Sequence, residues 1–136
     1  MNSDELTTKA LEARKYAHAP YSKFKVGAAL LSKSGEVFTG SNVESTSYGL
    51  TICAERVALV KALSEGVEEF EAIAVATESK APPCGACRQL LWDYAKDIPV
   101  YVSDLEGDHI KYKLSELLLH PFDDSQLPGD HEERKS

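Results

Sequence analysis

Leu6, Ala10, Ala13 and Ala17 recur at steps of three and four residues. Positions so spaced share one face of a helix. The pattern predicts an amphipathic first helix, opened by Asn2 and Glu5 in capping-box order and running to about Ala19, with Pro20 as its stop. Residues 26–31 are a short apolar run and read as a buried strand. Ser34-Gly35 supplies a turn, and 37–43 reads as the second strand of a hairpin. A polar loop covers 44–50. Residues 53–65 are rich in Ala, Leu, Val, Glu and Lys and stop at Gly66, as a helix with a glycine terminator does. Val57, Ala58, Val60 and Leu63 make much of its surface apolar, so it is expected to be central. Residues 72–77 read as a strand, 80–83 as a loop, and 84–95 as a helix. The short strands 100–103 and 110–113 are too close for a crossover helix and should pair antiparallel. Ser115 is the expected cap of a last short helix, 116–119.

The order α-β-β-α-β-α-β-β-α predicts an α/β fold: a three-layer α-β-α sandwich around a mixed five-stranded sheet. With 136 residues, the chain reads as one domain, 1–136. Its polar tail, 123–136, is either unstructured or packed on a neighbour. Both cysteine-bearing segments fall at strand-to-helix junctions, so two helix N-termini can face one place.

Charge narrows the partners. The formal net charge is -7 and no Lys/Arg cluster stands out, which disfavours nucleic acid as a ligand. No apolar run approaches the ~18 residues of a membrane span, so no membrane partner is expected. The segment Met1-Asn2-Ser3-Asp4-Glu5 lacks the basic and apolar regions of a signal peptide. A cytoplasmic protein is expected, and in a reducing compartment an odd set of three cysteines reads as metal-binding or catalytic.

Those cysteines carry the chemistry. Cys53-Ala54-Glu55 is followed by Pro83-Cys84-Gly85-Ala86-Cys87. Three thiolates from two helix starts make a tetrahedral Zn2+ site, one ion per chain, with one position open. None of the four histidines lies within either motif, so a water suits that position. Zinc lowers the pKa of such a water toward neutrality, and helix N-termini favour thiolate. Glu55 can face the zinc-bound hydroxide without ligating the metal and can shuttle protons. The Cys-x-Glu and Pro-Cys-x-x-Cys arrangement resembles the signature of zinc deaminases in its three-cysteine variant. Zinc with three thiolates carries one net negative charge, which weakens its acidity. Arg56 and Arg88 are candidates to restore it by donating to sulfur, Arg56 ahead of Arg88. The competing readings are a redox-active Cys-x-x-Cys, a structural zinc knuckle, and surface salt bridges for the two arginines.

With those motifs, and with residues 19–29 (Ala-Pro-Tyr-Ser-Lys-Phe-Lys-Val-Gly-Ala-Ala) and Gly40-Ser41-Asn42-Val43-Glu44, the chain resembles the short, homotetrameric type of cytidine deaminase from Tyr16 through Phe122. The resemblance implies hydrolysis of cytidine, and of 2′-deoxycytidine, to the uridine nucleoside and ammonia, a reaction of pyrimidine salvage. It implies that Asn42 and Glu44 bind the ribose hydroxyls, that Phe24 packs on the pyrimidine ring, and that the Ala54 N–H holds the 2-oxo group. Tyr48 and Phe122 would reach a neighbouring subunit's site. Taken alone, Phe24 reads as core and Asn42 and Glu44 as turn residues. Thr46, Pro82 and the run Leu119-His120-Pro121-Phe122 depart from the family's usual Ala, Ser and Pro-Gly-x-Phe. Rival functions are a deaminase of another aminopyrimidine nucleoside, a nucleic-acid-editing deaminase, and a zinc-stabilised binding module without activity.

Overall fold

The computed structural model describes residues 1–128; the tail beyond them lies outside the described residues. Four α-helices and five strands follow the expected order: α1 Ser3–Arg14, β1 Gly27–Ser32, β2 Val37–Ser41, α2 Ala54–Ser64, β3 Phe70–Ala76, α3 Gly85–Ala95, β4 Pro99–Ser103, β5 His109–Lys113 and α4 Leu114–Leu117. The sheet order is β2-β1-β3-β4-β5. Only the β3–β4 pair is parallel, and α3 lies between those two strands in the chain; β1–β2, β1–β3 and β4–β5 are antiparallel. The mixed five-stranded sheet of the sequence reading is therefore present.

The two faces of the sheet differ in side-chain size. Against α1, the strands present Ala29, Leu31, Ala72, Ala74 and Ala76, which pack on Leu6 and Ala10. Small side chains let a helix backbone lie close. A Cβ on Gly27 would stand 2.0 Å from the Ala10 carbonyl oxygen, so glycine is required there by contact. The opposite face carries Leu30, Ile73, Val75, Val100 and Val102, which meet Ala58, Leu59 and Ala62 of α2 and Leu91 of α3. Burying each such aliphatic side chain contributes about 1.5–3 kcal/mol. β1 is buried along its whole length, since it has strands on both sides and helices on both faces.

Beyond shifts of one or two residues at strand ends, three elements differ from expectation, each for a long-range reason. α1 ends at Arg14, well short of Ala19. The N–H groups of Lys15, Tyr16 and Ala17 close tighter turns on the carbonyls of Glu12, Ala13 and Arg14, and the chain becomes extended at His18, which donates its N–H to the Asn42 carbonyl at 2.8 Å and accepts from the Glu44 N–H at 2.9 Å. β2 ends at Ser41, because Val43 leaves the sheet to bridge Ile52. The last helix begins at Leu114 with Lys113 at its cap position. Ser115 does not cap it: its N–H and hydroxyl both donate to Asp97, at 2.8 and 2.9 Å, while Leu114 fills the core. The Asn2 cap does form, accepting from the Glu5 N–H at 2.9 Å; such a cap contributes about 1 kcal/mol.

The register brings the site to one edge. Gly27 is opposite both Ser41 and Ala76, and Ala76 is opposite Ser103. The start of β1 and the ends of β2, β3 and β4 therefore share one border of the sheet. The loops leaving it lead into Phe24, into Asn42–Cys53 and into Thr77–Cys84. Gly40 tightens this border: a Cβ there would lie 2.4 Å from the Ala54 carbonyl oxygen and 2.7 Å from the Ala58 nitrogen. The first turn of α2 is thus seated directly on β2.

Candidate active site

Cys53 and Cys84 are the N-cap residues of α2 and α3, and neither helix start has a side-chain cap. Each helix leaves its first N–H groups without intrahelical partners, and the dipole there favours negative charge. Cys87 stands one turn into α3 and is buried. The three sulfurs lie within 4.8 Å of one another. Cys53 and Cys84 are 3.9 Å apart, Cys84 and Cys87 3.5 Å, and all three are free thiols. A tetrahedral zinc with bonds of about 2.3 Å needs sulfur separations of about 3.8 Å, which these distances bracket.

Acid–base chemistry fits a cation as well. The Cys53 thiol is pulled down to about 6, first by a hydrogen bond from the Cys87 thiol and further by the Arg56 charge. Cys87 is pushed far up by that same bond, by burial and by the Glu55 carboxylate. One thiolate forms easily in this cluster, whereas three together call for a positive ion among them. Among the described residues this is the one cluster of three metal-ligating groups, and it fits one zinc ion.

Glu55 follows Cys53 on the first turn of α2 and is only 4% exposed. Burial pushes its carboxyl up to about 7, because a low-dielectric setting disfavours the charged form. A carboxyl poised there can take and return protons near neutral pH.

The two arginines have different tasks. Arg56 donates to the Thr51 carbonyl at 2.9 Å. Its Nε is buried without a hydrogen-bond partner, beside the Cys53 sulfur whose ionisation its charge favours. Arg88 donates instead to the Pro83 carbonyl at 2.6 Å and the Leu117 carbonyl at 2.7 Å. Both of these bonds go to main-chain carbonyls rather than to a sulfur. The Arg88 fork clamps the residue before Cys84 to the end of α4, because those carbonyls lie within its reach.

A cavity of about 260 Å³ opens beside the thiols, lined by Cys53, Ala54, Glu55 and Cys84. Phe24, Asn42 and Glu44 line the same space, so the structure brings these sequence candidates together. Asn42 is buried. Its Oδ1 accepts from the Val26 N–H at 2.9 Å and its Nδ2 donates to the Phe24 carbonyl at 2.8 Å. Each end of the amide keeps one further hydrogen-bonding site. Glu44 Oε1 accepts from the N–H groups of Tyr21 and Ser22 at 3.0 and 3.1 Å, and Oε2 accepts from the Ser22 hydroxyl. These bonds, the Ser22 hydroxyl foremost, hold the carboxyl below its usual range.

Tyr48 is 80% exposed and lines a shallow depression that shares Ser22, Glu44 and Thr51 with the cavity. Phe122 lies elsewhere, in a hollow with Asp93, Tyr94 and Lys96. It does not reach the cavity of its own chain. A larger groove of about 540 Å³ runs between α1, β2 and α2, but it contains no thiol, so the chemistry belongs to the smaller space. Thr77, expected only as the last residue of a strand, also lines that space. Its Oγ1 accepts from the Ala81 N–H at 2.8 Å and the Ser79 N–H at 3.3 Å, shaping the loop before Cys84. A threonine directly ahead of a polar loop is the available signal for such a turn.

Two helix starts that converge three thiols on one point beside a buried carboxyl define a zinc-dependent deaminase. The family model for the cytidine and deoxycytidylate deaminase zinc-binding region matches residues 1–102. The cytidine deaminase of Halalkalibacterium halodurans is 50% identical over 125 residues, 90% of this chain and 95% of that protein. That of Sporosarcina psychrophila is 42% identical over 130 residues, 93% and 96%. The crystal structure of cytidine deaminase from Burkholderia pseudomallei superposes with a TM-score of 0.86 at 45% identity, covering 90% of this chain and all of that one. The chain belongs to the cytidine and deoxycytidylate deaminase family.

Proposed function

We propose that the protein hydrolyses the 4-amino group of cytidine, and of 2′-deoxycytidine, to give the uridine nucleoside and ammonia. The observation that carries this reading is a single cavity lined by two of the three thiol-bearing residues, a buried Glu55 and the pair Asn42 and Glu44. Cys53, Cys84 and Cys87 would hold the zinc, which when bound supplies the Lewis acidity that makes water ionise near neutral pH. Glu55 accepts a proton from the attacking water and passes it to ring N3. It then moves the second proton from the new 4-hydroxyl to the amine, so that a C4–O bond forms and the C4–N bond breaks. The Ala54 N–H stands at the first turn of α2, where no intrahelical acceptor exists, and is free to hold the 2-oxo group. Phe24 packs on the ring. Asn42 and Glu44 take the sugar hydroxyls with the sites their internal bonds leave open.

The enzyme acts as a homotetramer with sites shared between subunits. In support, Val43, Tyr48, Leu50 and Ile52 are all substantially exposed on the segment beside the cavity, and exposed apolar patches mark contact surfaces. Phe122, remote from its own cavity, is then free to serve a neighbour's. Sedimentation is expected to show four chains; a fully active monomer would refute the shared site. Use of three thiols as ligands suits the reducing cytoplasm, and among the described residues no helix is long and apolar enough to cross a membrane. The deciding experiment follows the ultraviolet absorbance of cytidine with protein of measured zinc content. Turnover with one zinc per chain is expected. Absence of turnover in the zinc-loaded protein would overturn the reading.

A further inference from the structure

Ser22 occupies a junction that the reaction scheme leaves unassigned. Its N–H donates to Glu44 Oε1 at 3.1 Å, its hydroxyl donates to Glu44 Oε2, and that same hydroxyl oxygen accepts the Phe24 N–H at 3.0 Å. The neighbouring Tyr21 N–H adds a further donor to Oε1 at 3.0 Å. A carboxylate offers about four acceptor sites. Three are thus filled by the chain itself, two on Oε1 and one on Oε2. The remaining site, on Oε2, belongs to the oxygen that the Ser22 hydroxyl orients. Lys23, between Ser22 and Phe24, adopts a left-handed φ of 62° and donates its N–H to the Ala19 carbonyl at 3.0 Å. The 19–24 turn is therefore closed upon itself, with the serine hydroxyl at its centre.

We propose that Ser22 is a positioning residue for sugar recognition: its hydroxyl aims the one open acceptor site of Glu44 at a sugar hydroxyl and ties that aim to Phe24. Two observations and one geometric consequence carry this. Ser22, Phe24 and Glu44 all line the catalytic cavity. Glu44 and Ser22 are 22 residues apart in the chain, so no local turn imposes their contact. And without the hydroxyl, Oε2 keeps two open sites and loses the donor that fixes its torsion. The carboxylate remains held by Oε1 alone, free to swing about it. The inference rests on the reading of Glu44 as a sugar acceptor.

The test compares the zinc-loaded wild type, Ser22→Ala, Ser22→Thr and Glu44→Gln on two substrates, cytidine and 2′,3′-dideoxycytidine, which lacks the 2′- and 3′-hydroxyls and keeps the 5′-hydroxyl. Ser22 is exposed, so thermal unfolding and zinc content are expected to stay at wild-type values. Ser22→Ala should weaken cytidine kcat/KM roughly tenfold, the scale of one hydrogen bond to a charged group, with the loss in KM more than in kcat. Its preference for cytidine over the dideoxynucleoside should shrink by the same factor. Ser22→Thr keeps the hydroxyl and should keep the preference within about twofold. If Ser22→Ala loses both substrates equally, with the preference intact, Ser22 is merely structural and the proposal is overturned. If Ser22→Ala is poorly folded, Ser22→Thr decides, because loss of preference despite a retained hydroxyl also overturns it. A wild type without preference, or Glu44→Gln with an unchanged preference, removes Glu44 from the sugar and Ser22 with it. A preference lost in Glu44→Gln but kept in Ser22→Ala overturns the Ser22 proposal alone.

Discussion

Asn42 holds Phe24 in place: its Nδ2 donates to the Phe24 main-chain carbonyl at 2.8 Å while its Oδ1 takes the N–H of Val26. The residue proposed to read the sugar thus also anchors the residue proposed to pack on the ring. Its burial means that neither bond is exchanged easily for water. Replacement by alanine is expected to cost about 1–3 kcal/mol of stability and to raise KM for cytidine. Denaturant titration and steady-state kinetics check the two effects, and a loss of binding with full stability would show that the anchoring role is wrong.

Glu55→Gln should retain zinc and fold, since glutamine matches the buried shape, and lose turnover by about 10²–10⁴-fold or more. Metal analysis beside the ultraviolet assay separates the two outcomes. Substantial residual activity would place the proton shuttle elsewhere.

The same residue makes a pH prediction for the zinc-free, reduced protein. The Glu55 carboxyl is raised from 4.5 to about 7 by burial. Between those values the folded state binds more protons than the unfolded one, so stability falls as pH rises through that interval and then levels off. The full effect is on the order of 3 kcal/mol. Thermal melts of wild type and Glu55→Gln across pH 4.5–8 should converge at the acid end and separate above it. Parallel curves would show that Glu55 ionises in the fold without penalty.

Arg56→Ala and Arg88→Ala should fail differently. Arg56 sits beside the Cys53 sulfur with a buried, unpartnered Nε, so its loss should weaken zinc retention and activity. Arg88 bonds two main-chain carbonyls, so its loss should appear first as lower thermal stability. Competition with a chelator, run beside melting curves, distinguishes them. Identical behaviour would contradict the division of roles.

Free nucleosides should be preferred over phosphorylated ones. Glu44 is already a well-satisfied carboxylate whose pKa is lowered, chiefly by the Ser22 hydroxyl, and it meets a 3′-phosphate as a like charge. The chain's net charge of -7 opposes any phosphate's approach. Cytidine 3′-monophosphate and single-stranded oligonucleotides are expected to react at least about tenfold more slowly than cytidine at equal concentration. Comparable turnover of the 3′-phosphate would move Glu44 away from the sugar.

The cluster of thiols and the alternation of helices and strands were legible in the chain before any fold was known. Helical spacing in α1, the short apolar run of β1 and the Cys-x-Glu and Pro-Cys-x-x-Cys motifs are local patterns, and local patterns are what backbone geometry and metal-ligand chemistry act on. Ser22 stood in plain view within the Tyr-Ser-x-Phe segment, yet nothing local assigns its hydroxyl a partner. Tertiary structure decided what depends on distant contacts. The chain after α1 becomes extended at His18, which finds Asn42 and Glu44. Arg88 finds a carbonyl at Leu117, 29 residues away. Glu55 acquires its raised pKa only from the surroundings that bury it. Each of these is settled by which neighbour packing supplies, and a hydrogen bond or a desolvated charge takes its energy from that neighbour rather than from its position in the chain.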